Sequence, residues 1–178
     1  MQRLTLSKIY EHPIAKKYVA RAGLDHAIAT AFSAYDFALR EGVDVDLATK
    51  AAFLHDIGHY TWYRNGEWDF NLYAENDIHA IKGAERAHKL LIRLGEDRKS
   101  AKEIALAILL HTDSYLPQGH LHLDPLQQVV ALADQENEEP DGMHHYHHIS
   151  EERAVLRLQQ LDRRVEESKT LQLDKKSS

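Results

Sequence analysis

The chain has 178 residues, 28 Asp and Glu against 22 Lys and Arg, a formal net charge of -6 and 43% apolar residues. That length supports one domain with a hydrophobic core, and the acidic balance argues against a nucleic-acid backbone as partner. The absence of Cys excludes disulfides, thiolate zinc sites and cysteine nucleophiles; no apolar run approaches membrane-spanning length and no signal-peptide core stands at the start, so the cytoplasm is the expected location.

The spacing of apolar residues predicts an all-α chain. A short helix over 14–22 should stop at Gly23. The next, capped by Asp25, should run to about Arg40 and end at Gly42, with Leu24, Ile28, Ala31, Phe32, Tyr35, Ala38 and Leu39 as its apolar stripe. Asp44 or Asp46 should start a third helix that carries Leu47, Ala51, Leu54 and His55 inward and ends at Gly58. Residues 60–75 lack a clean period and hold the turn signal Asn65-Gly66. They read as a long aromatic loop, with room for a brief hairpin, that either covers a site or plugs the core.

Beyond it, helices are predicted from Asp77 to Leu94, stopped by Gly95, and from an Asp97 cap to near His111. Asp124-Pro125 is a helix start, a cap followed by Pro at the first helical position. That helix carries Leu126, Val129, Val130, Ala133 and Asp134. Pro140-Asp141-Gly142 reads as a turn. Ser150-Glu151-Glu152 opens a last amphipathic helix whose stripe (Ala154, Leu158, Leu161, Val165) can pack on its own domain or on another chain, which leaves oligomeric state open. The expected division is one domain over 1–168 and a polar, frayed tail over 169–178.

The chemistry concentrates at His55-Asp56, within Ala-Ala-Phe-Leu-His-Asp-Ile-Gly-His (51–59). A charge beside an apolar helical run is costly to bury unless something pairs with it, and a divalent metal satisfies an imidazole and a carboxylate together. His26, His79, His111 and Asp134 are further candidate ligands at wide intervals. His111 follows Ile104, Ala107 and Ile108 at helical spacing; Asp134 sits four after Val130; His26 has the small neighbours Ala22, Thr30 and Ser33. A lone inward His is more often a hydrogen-bonded core residue than a ligand. Several of them, without an ion, would be an expensive set of buried polar groups. Gly83, in a helix interior, suggests a close contact on the face of His79. The imidazole-dense run Gly142–His148 reads as a solvated connection between a turn and a helix, with loose metal binding or lining of the site entrance as the alternatives.

The arrangement His26 … His55-Asp56 … Asp134 resembles the HD superfamily of metal-dependent phosphohydrolases over roughly residues 20–140. His-Asp-Ile-Gly on an Ala/Leu-rich helix, an earlier helical His, the later Leu132-Ala133-Asp134 and His79-Ala-Ile-Lys-Gly83-Ala carry the resemblance. It implies a compact helical HD-type domain. It also implies a first metal on His26, His55, Asp56 and Asp134, and a second on Asp56, His79 and His111. One or two ions are expected, with manganese, iron, cobalt, nickel or zinc better suited than magnesium to imidazole-rich donors. The implied reaction is hydrolysis of a phosphomonoester or phosphodiester, on a nucleotide-like small molecule, by metal-activated hydroxide.

His59 departs from the pattern, standing where relatives carry Glu or Lys. It is read as a phosphate contact or leaving-group acid, with a helix C-terminal His as the plain alternative. Lys82 and Arg86 can reach a phosphate or simply face solvent. Two other functions fit the same ligands. One is a di-iron oxygenase, as in some HD-fold relatives. The other is a regulatory binding module with a structural metal.

Overall fold

The computed structural model describes residues 3–60, 63–113 and 121–176. Its elements follow from local start and stop chemistry. Asp44 accepts from the Asp46 and Leu47 amides to open a helix, Asp97 from that of Ser100, and Asp124 and Gln127 form a reciprocal capping box around Pro125. Among the described residues the helices are α1 (Leu6–Glu11), α2 (Pro13–Ala22), α3 (Leu24–Glu41), α4 (Val45–Leu54), α5 (Phe70–Asn76), α6 (His79–Arg93), α7 (Arg98–Leu109), α8 (Pro125–Asn137) and α9 (Glu151–Lys176). A two-stranded antiparallel hairpin, β1 (Tyr63–Arg64) with β2 (Glu67–Trp68), and a 3-10 segment (Pro140–Tyr146) complete them.

The all-α expectation is met, with several boundaries redrawn. Gly23, at φ +112, stands between α2 and α3; Asp25 lies inside the first turn and makes no cap. Helix α4 stops at Leu54, so His55, Asp56 and Gly58 lie in the turns that follow it rather than on its body. Within the segment read as an aromatic loop, Asp69 caps α5 by accepting from the Leu72 amide. That helix has seven residues and buries none of them, so it leaves no apolar period to read. Positions 61 and 62 of that segment lie outside the described residues. Helix α9 continues through residues 169–176.

Helix α3 packs against α4 and α8, and α6 against α7, with α4 also touching α7 and α8. Helix α3 carries Ala31, Ala34 and Ala38 and α4 carries Ala48, Ala51 and Ala52, all fully buried. Small side chains let these backbones lie close and bring the C-terminal end of α4 beside the start of α3. The stripe of α9 is sealed within its own chain: Ala154, Leu158, Leu161 and Val165 are buried, and α9 packs on α1 and α3. Asp162 ties that contact by accepting from the Leu6 and Ser7 amides at 2.8 and 3.0 Å. No helix among the described residues is long and apolar enough to cross a membrane.

Candidate metal centre

Helix ends present the site residues. The last carbonyls of an α-helix have no partner within it. His55, just past α4, donates Nδ1–H to Ala52 O at 2.6 Å. His111, just past α7, repeats the device on Ile108 O at 2.6 Å. A carbonyl can only accept, so each Nδ1 carries the proton and each Nε2 offers its lone pair. His79 opens α6, where Asp77 holds its Nδ1 at 2.7 Å and accepts from its backbone amide at 2.9 Å. His26 lies in the first turn of α3 and Asp134 on the inward face of α8; both are buried.

These donors converge. His26 Nε2 and His55 Nε2 stand 3.2 Å apart, and each lies 3.1 Å from Asp134 Oδ1. His79 Nε2 and His111 Nε2 stand 3.1 Å apart. Asp56 lies between the two groups. Its Oδ2 is 3.2 Å from His55 and 3.8 Å from His26, while its Oδ1 is 3.4 Å from His79 and 3.7 Å from His111. All six residues expected as ligands therefore meet, and Asp56 turns one oxygen to each group.

The donor set fits a cation. Two imidazole lone pairs cannot face one another at such distances without positive charge between them, and His79 and His111 both have Nδ1 engaged with oxygen. The protonation equilibria express the same demand. Burial opposes a charge on His55, yet Asp56 and Asp134 outweigh it and raise its pKa well above the ordinary value. Burial likewise works against the Asp56 and Asp134 carboxylates, but His55 and the neighbouring imidazoles hold both well below the usual range. Among the described residues, three groups of such donors have the spacing to hold an ion: His26 with His55 and Asp134; His55 with Asp56 and His111; and Asp56 with His59 and His145.

A cavity of about 540 Å³ opens on Asp56, His79, His111 and Asp134 and is also lined by Phe70, Tyr73 and Tyr146, by Glu138, Glu139 and Asp141, and by Arg21. His59 is in it, stacked on His79 with ring centroids 5.0 Å apart and with Nε2 at 3.1 Å from the Tyr73 hydroxyl. Burial, with His79 and His145 adding to it against the pull of Asp56, pushes the His59 pKa down to about 4. Lys82 and Arg86 do not line the cavity. Lys82 lies over the Tyr60 ring at 4.5 Å; Arg86 donates to Ile57 O at 2.5 Å and stacks over Tyr18 at 3.7 Å.

One feature went unread in the sequence and a second was given its lesser reading. Asp77 braces His79; its signal was a carboxylate two residues before a candidate ligand. The run 142–148, read first as a solvated connection and second as lining the site entrance, follows the second reading and sends two imidazoles into the centre. The His144 ring lies 4.4 Å from that of His26, and His145 Nδ1 lies 3.9 Å from Asp56 Oδ2. His147 and His148 do face solvent. The first reading failed because a turn has no periodicity to show which side chains point inward.

An all-helical frame with two His/Asp donor groups around a shared carboxylate defines a metal-binding centre, and the comparisons with known proteins make it that of a metal-dependent hydrolase. Residues 23–137 match the HD domain family. The chain is 56% identical over 168 residues to a protein of Bacillus subtilis (strain 168) named "Putative phosphohydrolase YueE", an alignment covering 94% of this chain and 96% of that relative. No solved structure matches the chain at a significant level. The chain belongs to the HD-domain family.

Proposed function

We propose that this enzyme hydrolyses a phosphomonoester or phosphodiester bond of a small, nucleotide-like molecule. On this reading His26, His55, Asp56 and Asp134 hold one divalent transition-metal ion, and Asp56, His79 and His111 a second. The observation that carries it is the placement of Asp56, whose two oxygens face separate imidazole groups at 3.2 and 3.4 Å. Imidazole-rich donors favour manganese, iron, cobalt, nickel or zinc over magnesium. When bound, such an ion supplies Lewis acidity, lowering the pKa of a water and offsetting charge that develops on phosphoryl oxygens.

The chain's own residues do the rest. The carbonyl and carboxylate partners of His55, His111 and His79 fix each ring's tautomer and orientation. His59, kept neutral near pH 7 by burial, offers a hydrogen bond rather than a charge to the phosphoryl group or the leaving oxygen. Among the described residues Arg21 is the Lys or Arg side chain on the cavity wall, whereas Lys82 and Arg86, read as reaching a phosphate or facing solvent, do not line it. A cavity of about 540 Å³ suits a small molecule rather than a polymer.

The test is purified, manganese-loaded protein against a panel of nucleotides and model phosphoesters. Activity should fall at least about 100-fold in Asp56→Ala and after chelation, and return with added metal. Turnover unchanged by both treatments would overturn the reading.

A further inference from the structure

His144 lies outside the segment that matches the HD family, yet it lines the cavity and packs its ring 4.4 Å from that of His26. Its tautomer is set by the backbone. The Glu139 amide donates to His144 Nδ1 at 2.9 Å, and an amide can only donate. Nδ1 must therefore carry a lone pair, which puts the ring's proton on Nε2. His145 beside it has the opposite arrangement, with Nδ1–H donating to Ala22 O at 2.5 Å.

The segment that presents this pair is firmly docked. Gly23 lacks the Cβ that would come within 3.0 Å of the His145 Cα, so the 3-10 backbone lies directly on the α2–α3 junction. The Glu139 carboxylate also meets His147 Nε2 at 2.6 Å. Among the described residues none accepts a hydrogen bond from His144 Nε2. That atom is not among the sealed polar atoms lacking a partner, which are His26 Nδ1 and Thr30 Oγ1, so it is open to the cavity.

A fixed N–H donor beside a metal-binding imidazole cannot itself ligate a cation. It suits the ligand that a cation attracts, an oxyanion. We propose that His144 donates Nε2–H to a phosphoryl oxygen of the substrate or of the phosphate product. This rests on the phosphoester reading above.

The experiment uses manganese-loaded full-length protein and inorganic phosphate as the probe, followed by calorimetry, with metal content measured on the same samples. His144→Asn keeps an acceptor near the Nδ1 position for the Glu139 amide but removes the outer donor. His144→Gln loses that anchor but retains a donor near the Nε2 position. Asn should weaken phosphate binding about tenfold or more with metal content unchanged, and Gln should weaken it by less. Equal phosphate affinity in wild type and Asn, or loss of metal from the Asn variant alone, would overturn the proposal. Should the wild type neither bind phosphate nor cleave any phosphoester, the phosphoester reading falls and this assignment falls with it. If wild type and Asn both bind phosphate equally, only the role of His144 is lost.

Discussion

Gly58 faces Gly83 across the contact between the His-Asp turn and α6. A Cβ built on Gly58 would overlap Gly83 N and the His79 carbonyl, both backbone atoms that cannot swing aside. A Cβ on Gly83 would meet Gly58 N at 3.2 Å and His55 O at 3.3 Å, tight but not overlapping. Gly58→Ala should therefore cost about 3 kcal/mol by overpacking. Gly83→Ala should stay within about 1 kcal/mol, since the helix propensity gained by Ala offsets the crowding. Urea denaturation of the two variants checks the order; equal losses would contradict it.

Asp77 supplies the charge behind His79. Asp77→Asn retains an acceptor for the His79 amide and ring but removes the negative charge that favours a basic Nε2. Metal affinity should fall about 10- to 100-fold, with thermal stability of the metal-free protein changed far less. Competition against a chromophoric chelator measures the first and a melting curve the second.

Protons and metal compete for the centre. In the metal-free chain burial disfavours the His55 charge, but Asp56 and Asp134 raise its pKa well above the ordinary value. A raised folded pKa contributes stability that is full below about pH 6.5 and is lost as pH rises through the folded value. The lowered carboxylates, Asp56 and Asp134, contribute stability that is present above about pH 4 and lost as pH falls through their folded values. Manganese binding at neutral pH should therefore release protons and weaken on acidification. Calorimetry in two buffers of different ionisation enthalpy reads the release; identical heats would show that no proton is displaced.

Lys50 is fully buried, with Nζ donating to Asp46 Oδ2 at 2.7 Å and to Glu96 Oε2 at 2.5 Å. Lys50→Met matches the stem but leaves the two carboxylates without that cation. A loss of about 3 kcal/mol is expected, with metal stoichiometry preserved. Chemical denaturation alongside elemental analysis separates the two effects.

Much of the helical frame was legible because its signals are local. Caps at Asp44, Asp97 and Asp124 and the Gly42 terminus each act within a few residues of the chain. The stripe of α9 was equally plain, though not what it would cover. Helix α5 went unseen because it buries no side chain and so carries no pattern.

By itself, the sequence determined that an all-helical chain would turn a particular set of imidazoles and carboxylates inward, and its motifs marked His55, Asp56 and their distant partners. Only the tertiary structure decided that Asp56 would turn an oxygen to each imidazole group, that Arg86 would brace Ile57 rather than line the cavity, and that His144 and His145 would enter it. The reason is physical. Periodicity reports which face of one helix is buried, whereas the side chains in a turn are aimed by what the turn docks against. For His145 that is Ala22, 123 positions earlier in the chain.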